Sequence, residues 1–217
     1  MNSLPLMNDL PRARLPTDEP LVLASGSPRR AELLKAAGYE FEIQPAADSA
    51  ECGICSRETA PEMVARLAFQ KAADVIRTRK QGLILAADTL AACQKQILGK
   101  PKNRDHAESM LKLLSGTQHD VYTGVCLWSA GSNRCYIDVV RSRLRMQTLT
   151  ADQLDAYLDT SLWEGKAGAF GYQDGNDWIS VVDQDSESNV VGLPMERLAE
   201  LLENFDSLAD KVEKEVR

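Results

Sequence analysis

Apolar positions fall along this chain in three patterns, and each predicts a different kind of element. Unbroken runs at Leu21-Val22-Leu23-Ala24 and at Leu83-Ile84-Leu85-Ala86-Ala87 suit strands buried on both faces. Alternation at Val121, Thr123, Val125 and Leu127 suits a half-buried strand, which turns at Gly131-Ser132-Asn133 and returns as a strand from Tyr136 to Met146. Phe41-Glu42-Ile43 and Trp178 to Val182 read as shorter strands, and Ala91 to Leu98 as a further strand or hairpin.

A three-to-four-residue beat marks the helices. The first opens at Pro28, runs through Ala31, Leu33, Leu34 and Ala37, and is closed by Gly38. Thr59-Ala60-Pro61-Glu62 is a capping box for a second helix reaching about Lys80, with a stripe at Val64, Leu67, Ala68, Ala72, Val75 and Ile76. Asn103 caps a third helix through Ala107, Met110, Leu111 and Leu114. Thr150-Ala151-Asp152-Gln153 opens a fourth through Leu154, Tyr157 and Leu158, and Met195, Leu198, Leu201, Leu202 and Phe205 line the last. Strands and helices are mixed throughout with no internal repeat, which predicts an α/β protein around a mixed sheet.

The first 20 residues, with Pro5, Pro11, Pro16 and Pro20, read as a flexible extension outside the core, and residues 206–217 as a charged, solvated helical tail. The chain has 217 residues, and 25 Lys and Arg against 32 Asp and Glu leave a net charge of −7. Such a balance argues against a nucleic-acid polymer or a membrane as partner, so an anion site must be a local concentration of cations. The absence of a leader pattern or spanning run predicts a cytoplasmic protein, and five cysteines fit free thiols there. Cys52-Gly53-Ile54-Cys55 lacks the second pair or the histidine that a zinc site needs, and reads as incidental loop cysteines.

Candidate chemistry gathers at breaks in the pattern. Ser25-Gly26-Ser27-Pro28-Arg29-Arg30 combines small residues, a helix start and two guanidinium forks, which attract phosphate; taken alone it is equally an ordinary strand-turn-helix with solvated arginines. Lys71 falls on the apolar stripe of the second helix, open between a snorkelling side chain and an ammonium beside a cleft. Asp88-Thr89 stands at the C-terminal end of the central run, where open α/β sheets bind ligands, although an aspartate in a strand-end turn is the plainer account. Lys100 sits between Gly99 and Pro101, and the glycine-dense segment from Trp163 to Gln173 carries Lys166. The Gln173 amide offers both the donor and the acceptor that a carbonyl-and-imide base edge requires. Arg141, Arg143 and Arg145 share one strand face and read as a solvent-exposed surface, because no aromatic residues interleave them.

Taken together, several segments resemble the Maf family of nucleoside triphosphate pyrophosphatases. They are Leu23 to Leu34, Ala87-Asp88-Thr89, Gly99-Lys100-Pro101, Leu114-Ser115-Gly116 with His119, Tyr122-Thr123-Gly124, Lys166 to Gln173 and Val190 to Pro194, in family order over about residues 21–205. The resemblance implies a two-lobed mixed β-sheet flanked by helices, similar to the inosine triphosphate pyrophosphatase fold, with a cleft between the lobes. It implies hydrolysis of a nucleoside triphosphate, dTTP or UTP in this branch, to the monophosphate and pyrophosphate with a divalent metal, Mg or Mn. Asp88 matches the catalytic base and a metal ligand; Arg29, Thr89 and Gln173 match specificity positions; Ser25, Arg30, Lys71, Lys100 and Lys166 match the lining of the triphosphate cleft. A homodimer is also implied.

Two departures from the family pattern stand out. The second acidic metal ligand is open between Asp48 and Glu51, and the common Asp-Lys-Ala-Gly is here Gly165-Lys166-Ala167-Gly168. The resemblance also keeps two alternatives in view: a 7-methyl-GTP pyrophosphatase, as in a sister branch, and a septum-formation regulator whose nucleotide pocket is a sensor.

Overall fold

The longest apolar runs of the sequence become the centre of one seven-stranded mixed sheet. The structure is a computed structural model that describes residues 9–47, 57–132, 134–182 and 186–215, with side chains as far as residue 207. Its elements are β1 (Leu21–Leu23), α1 (Pro28–Ala36), β2 (Phe41–Ile43), α2 (Ala60–Ile76), β3 (Leu83–Cys93), β4 (Gln96–Leu98) and α3 (Arg104–Leu114). There follow β5 (Gln118–Ser129), β6 (Cys135–Met146), α4 (Ala151–Asp159), β7 (Ile179–Val181), α5 (Glu187–Val191) and α6 (Met195–Glu215). The strand order is β2-β1-β3-β5-β6-β7, with β4 added to β3; β2, β1 and β3 run parallel and the remaining pairs antiparallel. None of the described helices is long and apolar enough to cross a membrane.

The capping signals operate as read. Thr59 and Glu62 close a reciprocal box on α2, Thr150 and Gln153 do the same on α4, and the Asn103 side chain accepts the His106 N–H. Helix α2 stops at Ile76, where Arg77 to Lys80 offer no apolar side chain to the sheet. The described part of the N-terminal extension corrects the expectation that it stays off the core. Ala13 is buried in the core cluster, its N–H donates to the Tyr39 hydroxyl at 2.9 Å, and Leu10 and Leu15 pack alongside, because alanine and leucine between the prolines cover the open side of α1.

Strand β3 also differs from expectation. The sequence suggests a strand ending at Asp88, whereas β3 runs unbroken from Leu83 to Cys93, held by β5 from Leu83 to Ala92. A tight turn with both Gln94 and Lys95 at positive φ then returns the chain as β4. On its other edge β3 is paired only at its ends, Leu83 to Leu85 with β1 and Ala91 to Cys93 with β4. Between them the edge has no strand partner, and Asp88 and Thr89 lie in that gap.

Each face of the sheet carries two apolar clusters with polar residues between them. On one face, Leu83, Leu85, Ala87, Val125 and Leu127 pack with α1 and α6, while Ala91, Cys93 and Val121 pack with α3 and α4. Thr89 and Thr123 separate these clusters. On the other face α2 covers Ile84 and Ala86 in one cluster and Leu90 in the next, with Asp88 between. The two lobes are thus two cores sharing the long strands, and the polar belt is their boundary.

Gly124, opposite Asp88 in the β3–β5 ladder, sets how closely α2 approaches. A Cβ there would stand 2.3 Å from the Val64 carbonyl oxygen and 2.8 Å from the Ala65 nitrogen. Substituting alanine forces the helix backbone away, so Gly124→Ala is expected to lower the unfolding free energy by about 1–3 kcal/mol, measured by urea denaturation.

Candidate active site

A cavity of about 590 Å³ opens over the gap in the β3 edge, a size that suits a nucleotide-scale ligand. Strand residues alternate between faces, so Asp88 and Thr89 point to opposite sides of the sheet. Both line the cavity because no neighbouring strand closes that edge.

On the α2 side, Lys71 Nζ contacts Asp88 Oδ1 at 2.6 Å, with side-chain exposures of 7% and 13%. The stripe position of Lys71 therefore serves a buried ion pair, and the snorkelling account does not hold. Among the described residues Asp88 Oδ2 makes no hydrogen bond.

On the opposite side Arg30 is buried. Its Nε donates to the Gly192 carbonyl at 2.7 Å, and its terminal nitrogens donate to Ser25 Oγ at 2.9 Å and Thr89 Oγ1 at 3.1 Å. Arg30 thus first serves as a strut tying α1, β3 and the turn after α5. Thr123 donates to the Asn189 carbonyl at 3.0 Å and lies 3.0 Å from Thr89 Oγ1. Its single proton being used, Thr89 donates to Thr123 and accepts from Arg30.

The remaining wall comes from the glycine-dense segment. Arg29 reaches the Gly165 carbonyl at 3.5 Å, Lys166 pairs with Asp174, and Gln173 and the exposed Lys100 border the same space. The Gly168 N–H donates to the Gly99 carbonyl at 3.1 Å, which holds the Lys100 loop against this segment. Gly168 has φ +71, and a Cβ there would meet Phe170 at 2.9 Å and Ala91 at 3.1 Å, so the close passage requires glycine. Burial lowers the pKa of both Arg29 and Lys166, and the Asp174 charge opposes the shift in each.

All the described residues that the sequence proposed for catalysis, specificity or phosphate binding line this one cavity: Ser25, Arg29 and Arg30 from the β1–α1 turn, Lys71 from α2, Asp88 and Thr89 from β3, and Lys100, Lys166 and Gln173 from loops. Asp48, Glu51, Cys52 and Cys55 lie outside the described residues. Arg141 and Arg143 meet Asp120 on the strand surface, away from the cavity. Sequence reasoning missed Thr123, Asn189 and Gly192 as supports, although the Tyr122-Thr123-Gly124 and Val190 to Pro194 segments contain or flank them. It missed Asp174 and Tyr157 altogether. Gly165 takes the place of the acid common before the lysine in the family pattern, and Lys166 pairs instead with Asp174 further along the chain.

No group of three or more His, Cys, Asp or Glu side chains among the described residues is arranged to hold a metal. Magnesium is commonly held by one or two carboxylates together with substrate phosphates, and the free Oδ2 of Asp88 fits that mode.

The family model for Maf-like protein matches residues 20–205. The chain belongs to this Maf-like family. A dTTP/UTP pyrophosphatase of Rhodopirellula baltica is 69% identical over 211 residues, covering 95% of this chain and 93% of that one. Proteins of the same description from Geotalea uraniireducens, 38% identical, and Acetivibrio thermocellus, 41% identical, cover 87% and 85% of this chain and 96% and 94% of their own.

Within this Maf-like chain His119 is buried beside the site. It lies edge-on to Phe170 with ring centroids 5.4 Å apart, and neither ring nitrogen has a described partner. Burial holds its pKa down to about 4 from 6.5. The unfolded chain then binds a proton that the folded one refuses, so stability is lost as pH falls from about 6.5 to about 4. The expected loss is on the order of 3 kcal/mol, read as denaturation midpoint against pH and absent in His119→Phe. Removing Lys71 strands the Asp88 charge, and Lys71→Ala is expected to destabilise by about 3 kcal/mol in the same assay.

Proposed function

We propose that this protein hydrolyses dTTP and UTP to the nucleoside monophosphate and pyrophosphate. The observation that carries the reading is the convergence of Asp88, fixed by Lys71, with Arg29, Arg30, Lys100 and Lys166 on one cavity of an otherwise acidic chain. The relatives described as dTTP/UTP pyrophosphatases support the choice of substrates.

Water attacking the α-phosphorus must lose a proton, and negative charge builds on the non-bridging oxygens and the leaving pyrophosphate. Asp88 Oδ2 orients the water and takes the proton, while the bond from Lys71 keeps the carboxylate from rotating. Lys71, Lys166 and Lys100 face the phosphate charge, with Arg29 and the Ser25 hydroxyl at the helix start. A divalent cation, held by Asp88 and the substrate phosphates, would add further positive charge at the reacting phosphate. Gln173, with its donor and acceptor, reads the imide edge of uracil or thymine, and Arg29 and Thr89 border the same space. The free thiols of Cys93, Cys126 and Cys135 fit action in the cytoplasm.

The test is a panel of nucleoside triphosphates, 7-methyl-GTP included, with Mg²⁺ or Mn²⁺ and with EDTA. UMP or dTMP with pyrophosphate is expected, with activity abolished by EDTA and restored by metal. Release of orthophosphate and a diphosphate, or no turnover of any triphosphate, overturns the reading. Asp88→Asn should keep its fold and lose about 10²-fold or more in kcat. Retention of wild-type kcat by this variant removes Asp88 as base.

A further inference from the structure

Asp174 carries the wrong charge to meet a triphosphate and does not itself line the cavity, yet it stands directly behind Lys166, which does. Its carboxylate is 4% exposed and its partner Lys166 is 11% exposed. Both oxygens are committed: Oδ1 takes the Lys166 ammonium, and Oδ2 accepts the Tyr157 hydroxyl at 2.7 Å. The Tyr157 oxygen in turn accepts the Gly171 N–H at 3.3 Å, which fixes the phenol as a donor toward Asp174. Its ring is set edge-on to Trp178 with centroids 5.4 Å apart. A Cβ on Gly171 would stand 2.5 Å from both Asp174 oxygens and from Lys166 Nζ, so this residue leaves just the room the pair occupies.

Among the described residues, the charged groups that act on Lys166 are Asp174 and Arg29, and those that act on Tyr157 are the same two. Lys166 and Arg29 are like charges, both partly stripped of water, and Asp174 attracts both. Buried behind Lys166 and off the cavity lining, Asp174 acts through the lysine.

We propose that Asp174, oriented by Tyr157 from α4, is a positioning residue that holds the Lys166 ammonium at the cavity wall against its repulsion from Arg29, ready for the triphosphate. This rests on the pyrophosphatase reading above. It gives α4, which lines none of the cavity, a function at the site: its inner face supplies the donor that stops the carboxylate from turning away.

The experiment measures kcat and KM for UTP across pH in the wild type, Asp174→Asn, Asp174→Glu and Tyr157→Phe, with thermal melts of each. In Asp174→Asn, kcat falls about tenfold to a hundredfold as the lysine loses its place. The alkaline limb of kcat/KM moves down by about one pH unit, because Arg29 then acts on Lys166 unopposed. In Tyr157→Phe the freed Oδ2 leaves more of the carboxylate charge to Lys166, so kcat falls while the limb moves up. General loosening of the site does not shift the two variants in opposite directions.

Limbs that stay at the wild-type position in both variants, or that move the same way, overturn the proposal. Should Asp174→Asn melt below the assay temperature, Asp174→Glu decides: it keeps the charge, so kcat drops with the limb in its wild-type place, and a limb shifted down overturns the proposal. A wild type that neither hydrolyses UTP nor binds its α,β-methylene analogue refutes the underlying reading instead, a result independent of the variants.

Discussion

Strand β3 is paired along nearly its whole length on one edge and only at its two ends on the other. That gap is the constraint on which the molecule depends. A strand in the middle of a sheet shows one side chain to each face, and a ligand on one face meets every second residue. Where the edge is open, both faces reach the same space, so Asp88 and Thr89 serve one cavity from consecutive positions. The three-residue length of β1 and the short β4 hairpin are what keep the gap open.

Opening the sheet places polar groups in the interior, and the structure meets that cost by pairing them. On the α2 face Asp88 has Lys71, a charge-assisted bond in a setting that Gly124 makes possible by letting the helix backbone press onto β5. On the other face the groups are Thr89, Thr123, Arg30 and the carbonyls of Asn189 and Gly192, joined donor to acceptor. Neutral hydroxyls suffice there because a single guanidinium is shared among three acceptors. The two sides thus differ in function as well as in partners: one holds a reactive carboxylate, and the other braces the turn after α5.

The electrostatics follow from the same layout. A chain of net charge −7 repels a polyphosphate at long range, and the five cations that oppose this come from four places in the sequence, brought within one cavity. Two of them, Lys71 and Lys166, are each held by a carboxylate, so they are kept in place rather than left to extend into water. Arg29 and Lys100 are less constrained.

Much of this was legible in the chain itself. Apolar runs and alternation located the strands, and Thr59, Asn103 and Thr150 marked helix starts, because capping and periodicity are local physics acting within a few residues. The type and approximate place of the site residues were also legible, since small residues before a helix, a lysine on an apolar stripe and an aspartate on a buried strand each break a local pattern. The tertiary structure alone decided that Lys71 meets Asp88, that Arg30 is a strut among Ser25, Thr89 and Gly192, and that Asp174 and Tyr157 hold Lys166. Local pattern reports which face of an element is buried, but not which distant face it meets. Asp174 in a loop and Tyr157 on an ordinary apolar stripe carry no local sign of each other; only the packing of α4 against the glycine-dense segment brings hydroxyl, carboxylate and ammonium into one line.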